Sequence, residues 1–175
     1  MKKYIIVTMT ILLLMVPFRV FADEAVTYQL AWPGILPDSK LYTLKVVRNK
    51  ILERMILDPV DKVRFDLLMA DKTIYASKLL VDKGEIGLAS TTALKGEDYY
   101  SQLVQQYNNA LLQGEKIPQD LDKNITLAAQ KHQEVFLYEK MKVGEDDEKV
   151  FVAANNFSHI NYTFIEGLRN PKKNK

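Results

Sequence analysis

The sequence predicts an all-α protein: an antiparallel helical bundle of about five helices, preceded by a proline-containing extended strap. Three observations carry this reading. Apolar residues return in steps of three and four along most of the chain, as on one face of a helix. No segment alternates with period two over the length of a strand. Short turns containing Gly, Asp or Pro separate the periodic runs, and connections that short join antiparallel neighbours.

The first 22 residues are set apart before any folding argument. Lys2 and Lys3 precede an apolar run over residues 4–16, and Val20 and Ala22 place small residues before a cleavage point, the pattern of a secretory signal peptide. The run ends at Pro17 and is shorter than the roughly 20 residues needed to cross a bilayer. Removal after Ala22 is therefore expected, with an uncleaved anchor as the alternative, and the protein is expected to be exported to the periplasm, the cell surface or the medium. The remainder divides into a strap over residues 23–38, a helical domain over 39–170 and a basic tail over 171–175.

Of the 24 basic residues, three (Lys2, Lys3 and Arg19) lie in that leader, which holds no acid, so 21 remain against 22 acids. The processed chain is nearly neutral, and the clustered basic surplus that nucleic-acid binding requires is missing. The one basic cluster, Lys172, Lys173 and Lys175, reads as a solvated tail. The chain has no cysteine, so the fold must hold without disulfides, and thiol chemistry and cysteine lipidation are excluded. About 150 residues at this hydrophobic content suffice for one core.

Pro33, Gly34 and Pro37 keep the strap extended, because proline fixes its own φ and disfavours helix in the residue before it. Asp38 or Ser39 can cap the helix that follows, with Leu41, Leu44, Val47, Ile51 and Met55 along its apolar face. Asp58-Pro59 supplies a cap and a first helical residue for the next, whose stripe is Val60, Val63, Leu67, Ala70, Ile74, Ser77 and Val81. After Gly84 a third helix carries Ile86, Ala89, Ala93, Gly96, Tyr100, Leu103, Tyr107 and Ala110. Gly96 costs about 1 kcal/mol inside a helix; its place on the inward stripe argues for close approach of the second helix, with a kink as the alternative. A fourth helix begins near Pro118 with Leu121, Ile125, Ala128, His132 and Val135. The fifth begins in Glu145-Asp146-Asp147-Glu148, which suits the positive end of the helix dipole, and its stripe reads Val150, Ala153, Phe157, Ile160, Phe164 and Leu168.

One set of motifs is distinctive: Tyr28-x-Leu30, Pro33-Gly34-Ile35-Leu36-Pro37-Asp38, Leu41-Tyr42-x-Leu44-Lys45 and Asp58-Pro59-x-x-Lys62, followed by Met69-Ala70-Asp71-Lys72, Lys83-Gly84-Glu85 and Lys95-Gly96-Glu97-x-Tyr99. Over roughly residues 28–140 this resembles a bacterial family known as domain of unknown function 5667. Ser39-Lys40 departs from it, where members often have a second proline. The resemblance implies an exported helical protein and brings no catalytic residues with it.

Candidate chemistry is sparse. There is no nucleophile elbow, phosphate-binding glycine loop or Cys/His cluster, so no enzymatic activity, cofactor or metal is expected. Asn124, Asn156 and Asn161 match the glycosylation triplet but fall inside predicted helices. His132 lies on an apolar stripe with Glu139 two turns on, yet lacks the paired Glu-x-x-His spacing of bundle metal sites. A hydrogen-bonded interior histidine is the simpler account, and His159 should be exposed.

The strap, with Trp32, Ile35, Leu36 and Tyr42, and the long third helix are the candidate contact surface. Packed over a helical seam, Trp32 would be buried and its truncation would cost about 3 kcal/mol; in the other reading it builds a partner groove. The expected role is a non-catalytic extracytoplasmic interaction or structural module that meets an unidentified protein or cell-envelope partner. The alternative is a small-ligand or metal-responsive bundle built around His132, which would melt differently when zinc, copper or nickel is added.

Overall fold

The computed structural model describes residues 27–170; the leader over residues 1–22, the start of the strap and the basic tail lie outside the described residues. Within them the chain is all-helical, with α1 Tyr42–Met55, α2 Pro59–Asp82, α3 Ile86–Leu112, α4 Gln119–Lys142 and α5 Glu145–Arg169. Among the described residues there is no strand.

Local chemistry sets most boundaries. Asp58 Oδ1 accepts from the Asp61 amide at 2.9 Å and Pro59 opens α2, as the Asp-Pro pair predicts. The α2 to α3 turn is closed by Gly84 at φ +81°, with Gly84 N bonded to Val81 O and Glu85 N to Leu80 O. Gly114 repeats the device at the end of α3. The acids expected at the head of α5 all lie in its first turn. The first helix starts later than the capping reading suggests: Asp38 is diverted into an ion pair with Lys83 at 2.7 Å, residues 37–40 form a turn, and α1 begins at Tyr42 without a side-chain cap.

Helices α2 and α3 form one antiparallel hairpin, and α4 and α5 another. The cross-hairpin contacts fix how the two meet. Asp71 and Ser77 on α2 face His132 and Glu139 on α4, while Glu97 and Ser101 on α3 face Asn161 on α5. Residue numbers rise together across the α2 and α4 seam, so α2 runs parallel to α4, and because each hairpin is antiparallel α3 runs parallel to α5. Around the bundle the order is α2, α3, α5, α4. The connection over residues 113–118 therefore crosses a diagonal.

The core forms two connected layers. One gathers Val63, Leu67, Tyr100, Leu103, Leu121, Ile125 and Ile165, the other Leu30, Ile74, Leu80, Phe136, Phe151 and Ala154. The expected stripes of α2, α3 and α4 are buried almost residue for residue. The α5 stripe is not. Phe151, Ala154, Ser158 and Ile165 point inward, while Phe157, Ile160 and Phe164 are more than half exposed. The helix carries two apolar faces about 100° apart, and the buried one joins both core layers through Phe151, Ala154 and Ile165.

The segment ahead of α1 does pack, through Tyr28, as expected of the strap, and through Leu30 rather than Trp32. Tyr28 and Leu30 enter the groove between α2 and α4, and Leu30 joins the second core layer. Helices α2 and α4 thus meet partly through a third chain segment.

Candidate functional site

Helix α1 is inverted. Its face toward the bundle consists of Tyr42, Lys45, Val46, Asn49, Glu53 and Ile56, a largely polar set, while Leu41, Leu44, Val47, Ile51 and Met55 are half or more exposed, Leu44 at 68%. The apolar stripe was expected to pack inward, and the structure overturns that. The outer surface of the α2 and α3 hairpin meets α1 with a mixed set, Met69 beside Lys95, and α1 turns its polar face toward it. Asn49 Nδ2 lies 3.5 Å from Met69 Sδ, and the Tyr42 ring lies under the ammonium groups of Lys45 at 5.5 Å and Lys95 at 5.7 Å.

Lys45 fastens the strap beside α1, its Nζ donating to Pro33 O at 2.7 Å and Ile35 O at 2.9 Å. Burial and the neighbouring cations Lys72, Arg48 and Lys95 hold its pKa below the usual lysine range. Trp32 is 65% exposed and meets Tyr75 in a T-shaped ring contact, with centroids 5.5 Å apart. Its expected burial is therefore corrected: the place over the seam is taken by Tyr28 and Leu30, and truncating Trp32 opens no core cavity. Ile35 is exposed, and Leu36 and Tyr42 are half-buried. The strap and α1 together present an outward apolar surface containing two of the four sequence-predicted residues, Trp32 and Ile35, plus five that had been assigned to the core.

A second constellation lies inside the bundle. His132 has no solvent exposure; its Nε2 sits 2.9 Å from Asp71 Oδ1, and its Nδ1 sits 3.8 Å from Glu97 Oε1. Tyr28 donates to the other Asp71 oxygen at 2.7 Å, and burial beside this carboxylate raises the Tyr28 pKa. Tyr100 meets the imidazole edge-on at 5.4 Å and donates to Ile125 O. Asn161 reaches Glu97 Oε2 at 3.4 Å. One step along α2 and α4, the Ser77 hydroxyl lies 2.5 Å from Glu139 Oε1 and 2.8 Å from Ile74 O. That hydroxyl has one proton for two acceptors; a neutral Glu139 supplies the second.

Desolvation pushes the Glu97 and Glu139 carboxyls up to about 8. At the edge of the same hairpin, burial, reinforced by Glu53, pushes Asp66 up to about 7. Burial thus favours the protonated, neutral form of Glu97 and Glu139. Glu97 Oε1, His132 Nδ1, Glu139 Oε2 and Ser158 Oγ have no hydrogen-bond partner. Among the described residues no three His, Asp or Glu side chains are arranged to hold a metal ion. His132 and Glu139 do share a face, as their spacing indicates, but each is engaged by α2. His159 is exposed as expected.

Asp71, Glu97 and Ser77 were missed as cluster members, although a signal existed. Asp71 falls between Leu67 and Ile74 at helical steps, and Glu97 sits beside inward Gly96. The open cleft nearest the cluster, about 490 Å³, is lined by Tyr28, Leu30, Tyr75, Lys78, Lys131 and Tyr138 among others, and its cations Lys78 and Lys131 are paired with Asp82 and Glu134.

Among the described residues no helix is long and apolar enough to cross a membrane. The chain matches no family model, no curated protein and no solved structure.

Proposed function

We infer that the protein is a non-catalytic interaction module of the extracytoplasmic space, and that the outward stripe of α1 with Trp32 and Ile35 is its contact surface. The observation that supports this is the orientation of α1. A helix that could bury five large aliphatic residues instead docks through tyrosine, lysine, asparagine and glutamate. Contiguous exposed apolar surface of this kind marks interaction sites in soluble proteins. The leader-like N-terminus and the resemblance to domain of unknown function 5667 favour an exported bacterial protein, and the interior carboxylates are closed to solvent, which favours a structural role for them.

The test is the double variant Leu44→Ser with Ile51→Ser. Both side chains are more than half exposed, so stability should change by no more than about 0.5 kcal/mol, while retention in the cell-envelope fraction is lost. A loss of about 2 kcal/mol or more would mean the stripe is packed in solution, and the reading would fall.

A further inference from the structure

We propose that α1 docks on an anionic phospholipid surface. This rests on reading α1 as the contact surface and adds what covers it. The argument is one of charge. Residues 40–57 hold five basic side chains, Lys40, Lys45, Arg48, Lys50 and Arg54, against the single acid Glu53. The rest of the expected processed chain is net acidic apart from its lysine-rich tail, so α1 is the helix that joins a cationic surplus to an exposed apolar stripe. All but Lys45 are exposed, and their long stems let the charges reach headgroups while the aliphatic groups enter between them. An apolar face bordered by Lys and Arg on a helix about 21 Å long is the makeup of a helix lying in the plane of a bilayer interface.

Two further features fit the same surface. Trp32 and Ile35 stand exposed beside the start of α1, held there by Lys45, and an exposed tryptophan is suited to the headgroup level. The face of α1 turned to the bundle carries its hydrogen-bonding groups, so the helix need not rotate or unfold to engage lipid. A second copy of this chain is the poorer occupant. Stripe against stripe would bring two strongly cationic helices together, with one glutamate from each to compensate.

The absence of cysteine allows a direct test in the intact protein. Val47→Cys, on the stripe, carries an environment-sensitive fluorophore; Gln130→Cys, exposed on α4, carries the same label as reference. With phosphatidylcholine vesicles containing phosphatidylglycerol, the label at residue 47 should shift to the blue and be quenched from within the lipid. With phosphatidylcholine alone it should not, and residue 130 should stay in water throughout. Lys50→Glu with Arg54→Glu should weaken the response on the order of tenfold or more. That pair separates α1 from the apolar run over residues 4–16, whose entry into lipid is indifferent to charge on α1.

A label at 47 that stays wet on anionic vesicles, or responds equally to neutral ones, overturns the proposal. A blue shift without lipid that grows with protein concentration alongside a doubled mass assigns the stripe to a second copy; the lipid inference then fails and the contact surface stands. A label already dry in the lipid-free monomer removes both.

Discussion

Raising the pH from about 4.5 to about 8 lowers the stability of this bundle steeply, and Glu97→Gln with Glu139→Gln removes most of the slope. Both carboxyls have ordinary values of 4.5 and are pushed by burial up to about 8 in the folded protein. Across that window each is neutral when folded and ionised when unfolded, so unfolding releases protons. The stability they contribute is therefore fully present below 4.5 and is lost as the pH rises through 8. Each group adds a slope of up to about 1.4 kcal/mol per pH unit. Glutamine keeps the shape and cannot ionise. At residue 139 its amide donates to the Ser77 hydroxyl, leaving the serine proton for Ile74 O; at residue 97 its carbonyl still accepts from Asn161. The double variant should be the more stable protein at pH 8 and show little difference near pH 4.5. Denaturant titrations across this range check it. A flat or rising wild-type profile would show that the interior carboxyls are charged and compensated.

Gly96→Ala should destabilise, the reverse of what alanine does in an exposed helix, where it would gain up to about 1 kcal/mol. A Cβ at this position would lie 2.4 Å from Ile74 Cγ1 and 3.2 Å from both Ile74 Cδ1 and the Ile74 backbone nitrogen. Cγ1 is tied close to its own backbone and cannot swing away as the end of a long side chain can. The helices would have to part, at a cost of about 1 to 3 kcal/mol, and Gly96→Leu should cost more. Ile74→Ala removes the clashing atoms, so the double variant Gly96→Ala with Ile74→Ala should lose less than the sum of its parts. Unfolding midpoints of the four proteins decide it; additive losses, or a stabilised Gly96→Ala, would refute the tight crossing.

What could be read from the sequence followed from how each residue declares itself. Asp58-Pro59, Gly84 and the unbroken stripes of α2, α3 and α4 state local rules that tertiary structure obeyed, and of the two readings of Gly96, a close crossing or a kink, the crossing is the one found. Periodicity reports that a helix has an apolar face. It is silent on whether anything lies against that face, and so α1 was turned the wrong way. In α5 two apolar faces compete, and the buried one goes with Asn161 reaching Glu97 and Ser101, partners some 60 residues away. The interior carboxylates were hard to see for a related reason. A buried Glu bearing a proton is a polar side chain of ordinary size, while on paper it is an acid assigned to the surface. Several residues of the distinctive sequence motifs turn out to be those that fasten one element to another: Tyr28 to Asp71, Asp38 to Lys83, and Lys45 to the strap.

The polar links of the interior also bear on how the protein comes apart. They join positions far apart in the chain: 43 residues for Tyr28 and Asp71, 61 for Asp71 and His132, 62 for Ser77 and Glu139, 64 for Glu97 and Asn161. Each runs between segments that do not share a hairpin. A protein made of two helical hairpins has an obvious line along which to separate, yet parting here would strand an imidazole and three carboxyls in half-open apolar seams. Neither hairpin can leave and remain a comfortable structure on its own, and the strap, through Tyr28, is bound to the same event. Cooperativity is thus built into the polar minority of the core. Heat or denaturant should produce a single transition, with the amides of α2 and α4 exchanging with solvent only through global opening.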